Sequence, residues 1–91
     1  MTRLDLSLGE VAAAPVANFS TNVTSGPAPL TVRFTDASTG AAAWLWAFGD
    51  GSTSADRNPV HTYAAPGIYT VTLAVTNAAG SDSATGVITV Q

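Results

Sequence analysis

Short stretches in which hydrophobic and polar residues alternate recur along this chain. The clearest is GIYTVTLAVTN, residues 67–77, where every second position is hydrophobic. Alternation with a period of two is typical of a β-strand that buries one face. The pattern therefore predicts a central strand here, with the buried side made up of Tyr69, Val71, Leu73 and Val75.

Four further stretches alternate in the same way, namely VANFS, PLTVRFTD, WLWAF and ATGVITV. Clusters of glycine, proline and asparagine separate them, as turns do. Five or more short strands at this spacing predict an all-β fold in which two antiparallel sheets pack face to face. The positions predicted to face inward are Ala17, Phe19, Leu30, Val32, Phe34, Trp44, Trp46, Phe48, Ile88 and Val90.

The first 14 residues have a different character, so we expect an N-terminal arm or linker over 1–14 and a sandwich domain over 15–91. In LDLSL, Leu4, Leu6 and Leu8 alternate with polar residues. Such a strand could pair with its own sheet edge or add to the edge of a neighbouring molecule. The alternative is that it is the tail of a preceding domain. We take the three leucines as a candidate partner-binding arm.

Composition narrows the classes of function. The 91 residues carry three arginines and six acidic residues, for a net charge of −3, and no cysteine. A disulfide or thiolate metal site is therefore excluded, and nucleic acid is not an expected partner. No apolar run approaches the length of a membrane span, and Met1 is not followed by a signal-peptide pattern, so membrane insertion is not expected either.

One stretch, AWLWAFGDGSTSADRNPVHTY, holds both tryptophans and the single histidine. Asp50, Ser52 and His61 could in principle form a nucleophilic triad, but the chain has no G-x-S-x-G elbow. A structural interpretation explains more, because Gly49 and Gly51 suit backbone with positive φ and Asp50 supplies the side-chain acceptor of a turn. His61 can satisfy a backbone or carboxylate group beside Trp46. We therefore predict a motif turn and no catalytic residues.

Other candidate sites in the sequence are less specific. Calcium could use Asp36, Asp50 or Asp56, but the D-x-D-x-D-G pattern is missing, so neither a metal nor a cofactor is expected. Asn18-Phe19-Ser20 and Asn22-Val23-Thr24 are possible N-glycosylation acceptors. Exposed aromatic rings can bind carbohydrate, for which Tyr63 and Trp44 are the remaining surface candidates.

The segment WAFGDGS, followed by NPVHTYAAPGIYTVTLAVTNAAGS, resembles the PKD domain, the immunoglobulin-like module named after the polycystic kidney disease protein. The similarity extends from about Ala17 to Val90. Its specific signals are W-x-F-G-D-G and H-x-Y-x-x-x-G-x-Y-T-V-T-L in combination. Ala47 departs from the family, which often has aspartate or asparagine there, at a position that we expect to point outward.

The resemblance implies an immunoglobulin-like, PKD-type sandwich of roughly seven strands, with Trp46 as the buried tryptophan of the third strand. It also implies a tyrosine-corner hydrogen bond from Tyr69, and Val71 in the space that a disulfide occupies elsewhere. The predicted structural core is Trp46, Phe48, Phe34, Tyr69, Val71 and Leu73, and the predicted motif turn is Gly49, Asp50, Gly51 and His61.

The resemblance further implies a non-enzymatic structural or adhesion module, because PKD-like domains space, adhere or contact substrate. From the methionine start without a signal, the expectation is a decoration protein outside a phage capsid or tail, anchored through its arm to assembly proteins or to further copies. The alternative is a spacer or binding module of a secreted microbial enzyme or an archaeal surface-layer protein. Carbohydrate is a further possible ligand.

Overall fold

The computed structural model describes residues 13–91, so the predicted arm with Leu4, Leu6 and Leu8 lies outside the described residues. All regular elements in this range are β-strands, and the range contains no helix that could span a membrane. The strands are β1 (Phe19–Thr21), β2 (Ser25–Gly26), β3 (Leu30–Asp36), β4 (Ala43–Ala47), β5 (Thr53–Ser54), β6 (Val60–Tyr63), β7 (Gly67–Asn77) and β8 (Gly80–Val90).

The strands form two sheets, which confirms the predicted all-β sandwich. One sheet has three strands in the order β1-β3-β6, and the other has five in the order β2-β8-β7-β4-β5. All pairs are antiparallel except β2 with β8, which is parallel. The sequence patterns did not predict this parallel pair, because Ser25 and Gly26 lie in one of the glycine- and proline-rich clusters that are typical of turns.

Residues 13–91 form eight strands, where the resemblance implies roughly seven. The alternation did not mark three of them: β2 and β5 have only two residues each and β6 has four, which is too short for the pattern to be visible. The closing strand is also longer than predicted: β8 begins at Gly80, because its first half consists of exposed small and polar residues that carry no hydrophobic signal.

The core lies between the two sheets and is built from the alternating positions of the longer strands. Trp46 at its centre is fully buried, and its ring packs edge-on against Phe19 and at a tilt against Phe34, with centroids 5.1 and 5.3 Å away. Tyr69 is only half-buried and packs against this core from its border. The buried hydrophobic residues are Val32, Phe34, Trp46, Phe48, Tyr63, Val71, Leu73, Val75, Ile88 and Val90.

Candidate functional site

The motif turn lies between β4 and β5, with Gly49 at φ 88° and Gly51 at φ 93°, the positive values that the sequence predicts. Asp50 closes the turn with both carboxylate oxygens. Oδ1 accepts the Ser52 backbone N–H at 3.0 Å, and Oδ2 lies 2.7 Å from His61 Nε2 on β6. The turn is thereby tied to the opposite sheet by one side-chain pair.

The aromatic residues around His61 fix its ring. The imidazole stacks on Phe48 with centroids 4.2 Å apart and planes 3° from parallel, and meets Tyr63 edge-on at 4.7 Å. Its partner Asp50 would have a raised pKa through burial alone, but hydrogen bonds from His61 and Ser52 and the imidazole charge outweigh burial and lower the pKa. The pair is a packed structural contact at the edge of the sandwich.

This geometry does not assemble the triad considered from sequence. In a nucleophilic triad the histidine stands between the acid and the hydroxyl. Here Asp50 stands in the middle, because it contacts His61 through one oxygen and the Ser52 backbone through the other. The arrangement orients a turn, and it activates no nucleophile.

Tyr63 and Tyr69 are placed differently from one another. Tyr63, considered a surface candidate for sugar binding, is fully buried, so that prediction was wrong; its hydroxyl donates to the Phe48 carbonyl at 2.8 Å. Burial, with the charge of Asp50, raises its pKa above the ordinary value. The Tyr69 hydroxyl donates to the Ala65 carbonyl at 2.7 Å, which is the expected tyrosine-corner contact.

A second polar cluster surrounds Asp36 at the end of β3. The sequence patterns did not predict it. The Asp36 side chain is 1% exposed, and Oδ2 accepts the Arg57 Nε–H at 3.3 Å. Oδ1 accepts the Ser38 backbone N–H at 3.1 Å. Arg57 also lies over the Trp44 ring, 5.2 Å from its centroid. The only sequence signal for this cluster was Arg57, the single arginine in the stretch AWLWAFGDGSTSADRNPVHTY.

The cluster holds Asp36 in its charged form. Burial alone would raise the pKa of Asp36, but hydrogen bonds from Ser38, together with Trp44 and Arg57, lower it below its usual range. The Trp44 indole N–H contributes to this lowering of the Asp36 pKa, although it makes no hydrogen bond of normal geometry. Within residues 13–91, its buried Nε1 atom has no hydrogen-bond partner. Trp44 is half-buried and partly covered by Arg57, which leaves it a small exposed surface.

The three aspartates considered for calcium do not converge. Asp36 and Asp50 are each engaged in their own turn, while the Asp56 carbonyl accepts the Trp46 indole N–H at 2.8 Å. Among residues 13–91, no group of three or more histidine, cysteine or acidic side chains could hold a metal ion. The two asparagines of the glycosylation triplets, Asn18 and Asn22, are both exposed.

Because the pKa values of Asp36 and Asp50 are lowered, we expect the folded protein to lose stability in acid. A carboxyl whose pKa is lower in the folded than in the unfolded chain stabilises the fold above its unfolded pKa of about 3.9. That contribution is lost as the pH falls through the folded value. The free energy of unfolding, measured by urea denaturation, should therefore decrease between about pH 5 and about pH 2.

Asp36→Asn is the variant that tests this sign. The amide keeps one oxygen for Ser38 but removes the titrating group, so the variant should be less stable near neutral pH and should lose less stability on acidification than the original protein. An equal decrease with pH in both proteins would contradict the assignment of acid sensitivity to this carboxyl.

The outer face of the five-stranded sheet is a further candidate binding surface. On β4, β7 and β8 the outward positions carry only alanine, serine, threonine and aliphatic side chains, with no charged residue. Three aliphatic side chains on it are more than half exposed: Ile68, Val87 and Leu45. The pairs Thr70↔Val87 and Thr72↔Thr85 set threonine hydroxyls beside them in a regular array. We call this surface the threonine face.

A family model described as the PKD domain matches residues 12–91. The chain belongs to the PKD family. This confirms the resemblance carried by the W-x-F-G-D-G and H-x-Y motifs, whose residues build the motif turn and its aromatic support. PKD domains are non-catalytic modules, although several relatives are parts of enzymes.

Curated relatives of this PKD domain include large enzymes. It is 49% identical over 41 residues to the collagenase ColA of Bacillus cereus, which covers 45% of this chain and 4% of that protein. It is 53% identical over 36 residues to a microbial collagenase of Vibrio alginolyticus, covering 40% of this chain and 4% of the enzyme. The chain therefore spans about 4% of the length of these curated relatives.

Solved structures agree with the family. The PKD1 domain of the Vibrio cholerae metalloprotease PrtV is 33% identical with a TM-score of 0.74, over 87% of this chain and 99% of that one. The PKD1 domain of Vibrio anguillarum Epp is 28% identical with a TM-score of 0.75, over 89% and 98%. A protein solved to explain promiscuous specificity in carbohydrate-binding modules of the β-sandwich superfamily is 29% identical with a TM-score of 0.81, over 90% and 36%.

These relatives favour one of the two hypotheses drawn from the sequence. These relatives include collagenases, a metalloprotease and a protein with carbohydrate-binding modules. None of these proteins is a virion protein. The alternative of a spacer or binding module is thus better supported than the decoration of a phage particle.

Proposed function

We propose that this PKD domain is a non-catalytic spacer and binding module of a secreted microbial protein that acts on, or adheres to, an extracellular polymer. The observation that carries the proposal is its similarity, at about half of the aligned positions, to a small part of microbial collagenases. A domain that recurs as a small fraction of a large enzyme can space the catalytic unit from its substrate or hold it there.

The threonine face is the surface that we propose to contact the polymer. A surface without charges loses little solvation when an uncharged partner covers it, whereas a buried unpaired charge is costly. Its threonine hydroxyls can hydrogen-bond to carbonyl or hydroxyl groups, and exposed Ile68 and Val87 add apolar contact. The chemistry therefore suits an uncharged polymer surface, such as a Gly/Pro-rich stretch of collagen or an uncharged polysaccharide.

A pelleting experiment tests this proposal. The domain is mixed with insoluble collagen, crystalline chitin or cellulose, and the fraction left in solution is measured over a concentration series. We expect binding to at least one of these polymers. Thr70→Glu places a charge between Ile68 and Val87, and should weaken that binding about tenfold or more.

The matched control is Thr35→Glu. Thr35 is exposed like Thr70, but it lies on the outer side of the three-stranded sheet, so the same change in charge occurs away from the threonine face. Equal weakening by the two substitutions would contradict the threonine face as the contact surface. Absence of pelleting with every polymer would leave the spacer role and remove the binding role.

A further inference from the structure

Among residues 13–91, strand β8 has a backbone edge that is paired at only one end. β7 covers one side along its whole length, whereas on the other side β2 pairs only with Thr89 and Val90. There the Thr89 N–H donates to the Thr24 carbonyl and the Gln91 N–H to the Gly26 carbonyl. Because backbone groups alternate in direction along a strand, those of Ser81, Ser83, Thr85 and Val87 point to this same side. We call this row the free edge.

A groove of about 210 Å³ lies beside the free edge, between β8 and β1. Its floor includes Phe19 and Val71, and its β8 wall includes Ala84 and Gly86. These two inward positions are small because the Phe19 ring lies close by: a Cβ on Gly86 would be 3.1 Å from its Cζ atom. The two sheets therefore leave a lateral opening to the core at this place.

A strand added to the free edge would close this opening. Its backbone would pair with Ser83, Thr85 and their neighbours, and every second side chain would lie over the groove. No charged residue lines the groove, and Phe19, Val71 and Ile88 are part of its lining, so apolar side chains suit these alternate positions. The occupant required is a short extended segment with hydrophobic residues at a period of two.

The chain contains one such segment outside the described residues, Leu4 to Leu8. Three leucines alternate there with Asp5 and Ser7, so an extended conformation would give this segment one apolar and one polar face. In an added strand the leucines would cover the groove, while Asp5 and Ser7 would continue the outer face of the sheet toward solvent.

The path of the chain favours the edge of another molecule. Ala13 accepts a hydrogen bond from the Asn77 side chain, and Ala14 lies against Gly80, both where β8 begins. The Ala17 N–H then donates to the Asp82 carboxylate at 2.8 Å. Residues 13–17 thus occupy the approach to their own free edge from that end, and the preceding segment would have to reverse and cross them.

We propose that residues Leu4 to Leu8 of one copy add as a strand to the free edge of β8 in a second copy, with the three leucines over the groove beside Phe19. The interaction makes the domain self-associating through backbone pairing. It is independent of the threonine face, which lies on the outer surface of the same sheet.

The test uses the full chain and two matched variants. Leu6→Asp places a charge over the groove, and Ser7→Asp adds the same charge one position further on, on the solvent side. Mass is measured by light scattering, and amide hydrogen exchange is measured at Ser83, Thr85 and Val87, both over a concentration series. Both positions lie outside residues 13–91, and urea denaturation of each variant checks that the sandwich still folds.

We expect the mass to rise above that of the monomer with concentration, and the three amides to exchange at least about tenfold more slowly in the associated form. Both effects should disappear in Leu6→Asp and persist in Ser7→Asp. A monomer at all concentrations would overturn the proposal, as would slow exchange that is independent of concentration, which would indicate pairing within one chain. Association that survives Leu6→Asp would also overturn it.

Discussion

Trp46→Ala is expected to lower the free energy of unfolding by about 3–5 kcal/mol, the range found when a large buried aromatic side chain is truncated. Trp46 is fully buried between the sheets, packs against two phenylalanines, and donates its indole N–H to the Asp56 carbonyl at 2.8 Å. The alanine would leave a cavity and an unpaired carbonyl. Urea denaturation followed by far-ultraviolet circular dichroism measures the loss.

Two further variants make this result interpretable. Leu45→Ala changes the neighbouring residue on β4, whose side chain is 52% exposed on the outer face, and should stay within about 0.5 kcal/mol of the original protein. If Trp46→Ala does not fold, Trp46→Phe retains part of the volume and should show an intermediate loss. A loss below about 1 kcal/mol in a well-folded Trp46→Ala protein would be incompatible with the packing described.

Gly49→Ala is expected to lower the free energy of unfolding by about 2–6 kcal/mol, since backbone strain of about 1–3 kcal/mol adds to overpacking of about 1–3 kcal/mol. Gly49 has φ 88°, and a Cβ there would lie 2.6 Å from the carbonyl oxygen of Thr70 and 2.9 Å from its backbone nitrogen. Both are main-chain atoms of the central strand β7, so they cannot move aside without disturbing the sheet. Thermal or urea unfolding measures the effect.

Gly51→Ala is the matched control, because Gly51 lies in the same turn and also has a positive φ. Gly51 has φ 93°, but no atom lies within 4 Å of the position its Cβ would take. It should therefore carry the backbone strain alone, and be less destabilising than Gly49→Ala by about 1–3 kcal/mol. Equal losses at the two glycines would mean that the close approach of the turn to Thr70 has no energetic weight.

Much of the fold could be predicted because its signals are local. The alternation over 67–77 has the same bounds as β7, Gly67–Asn77, in the structure. The inward positions Leu30, Val32 and Phe34 mark β3. The G-D-G turn was also predictable, because positive φ depends chiefly on the residue at that position. Each of these features is encoded within about ten consecutive residues.

The polar clusters were only partly predictable. His61 was expected to satisfy a backbone or carboxylate group beside Trp46, but neither its contact with Asp50 nor its stacking on Phe48 was predicted. The contact of Asp36 with Arg57 joins residues 21 positions apart. Such pairs form only when the strands on either side adopt one register, and a single sequence without comparison does not specify that register.

The sequence by itself determined the β-sandwich class, the PKD resemblance and the G-D-G turn, because alternation, glycine positions and a motif are properties of neighbouring residues. Tertiary structure decided the burial of Tyr63, the parallel pairing of β2 with β8, the charge-free threonine face and the groove beside the free edge. These depend on which strands become neighbours and which edges remain unpaired, and that is set by the packing of the whole domain.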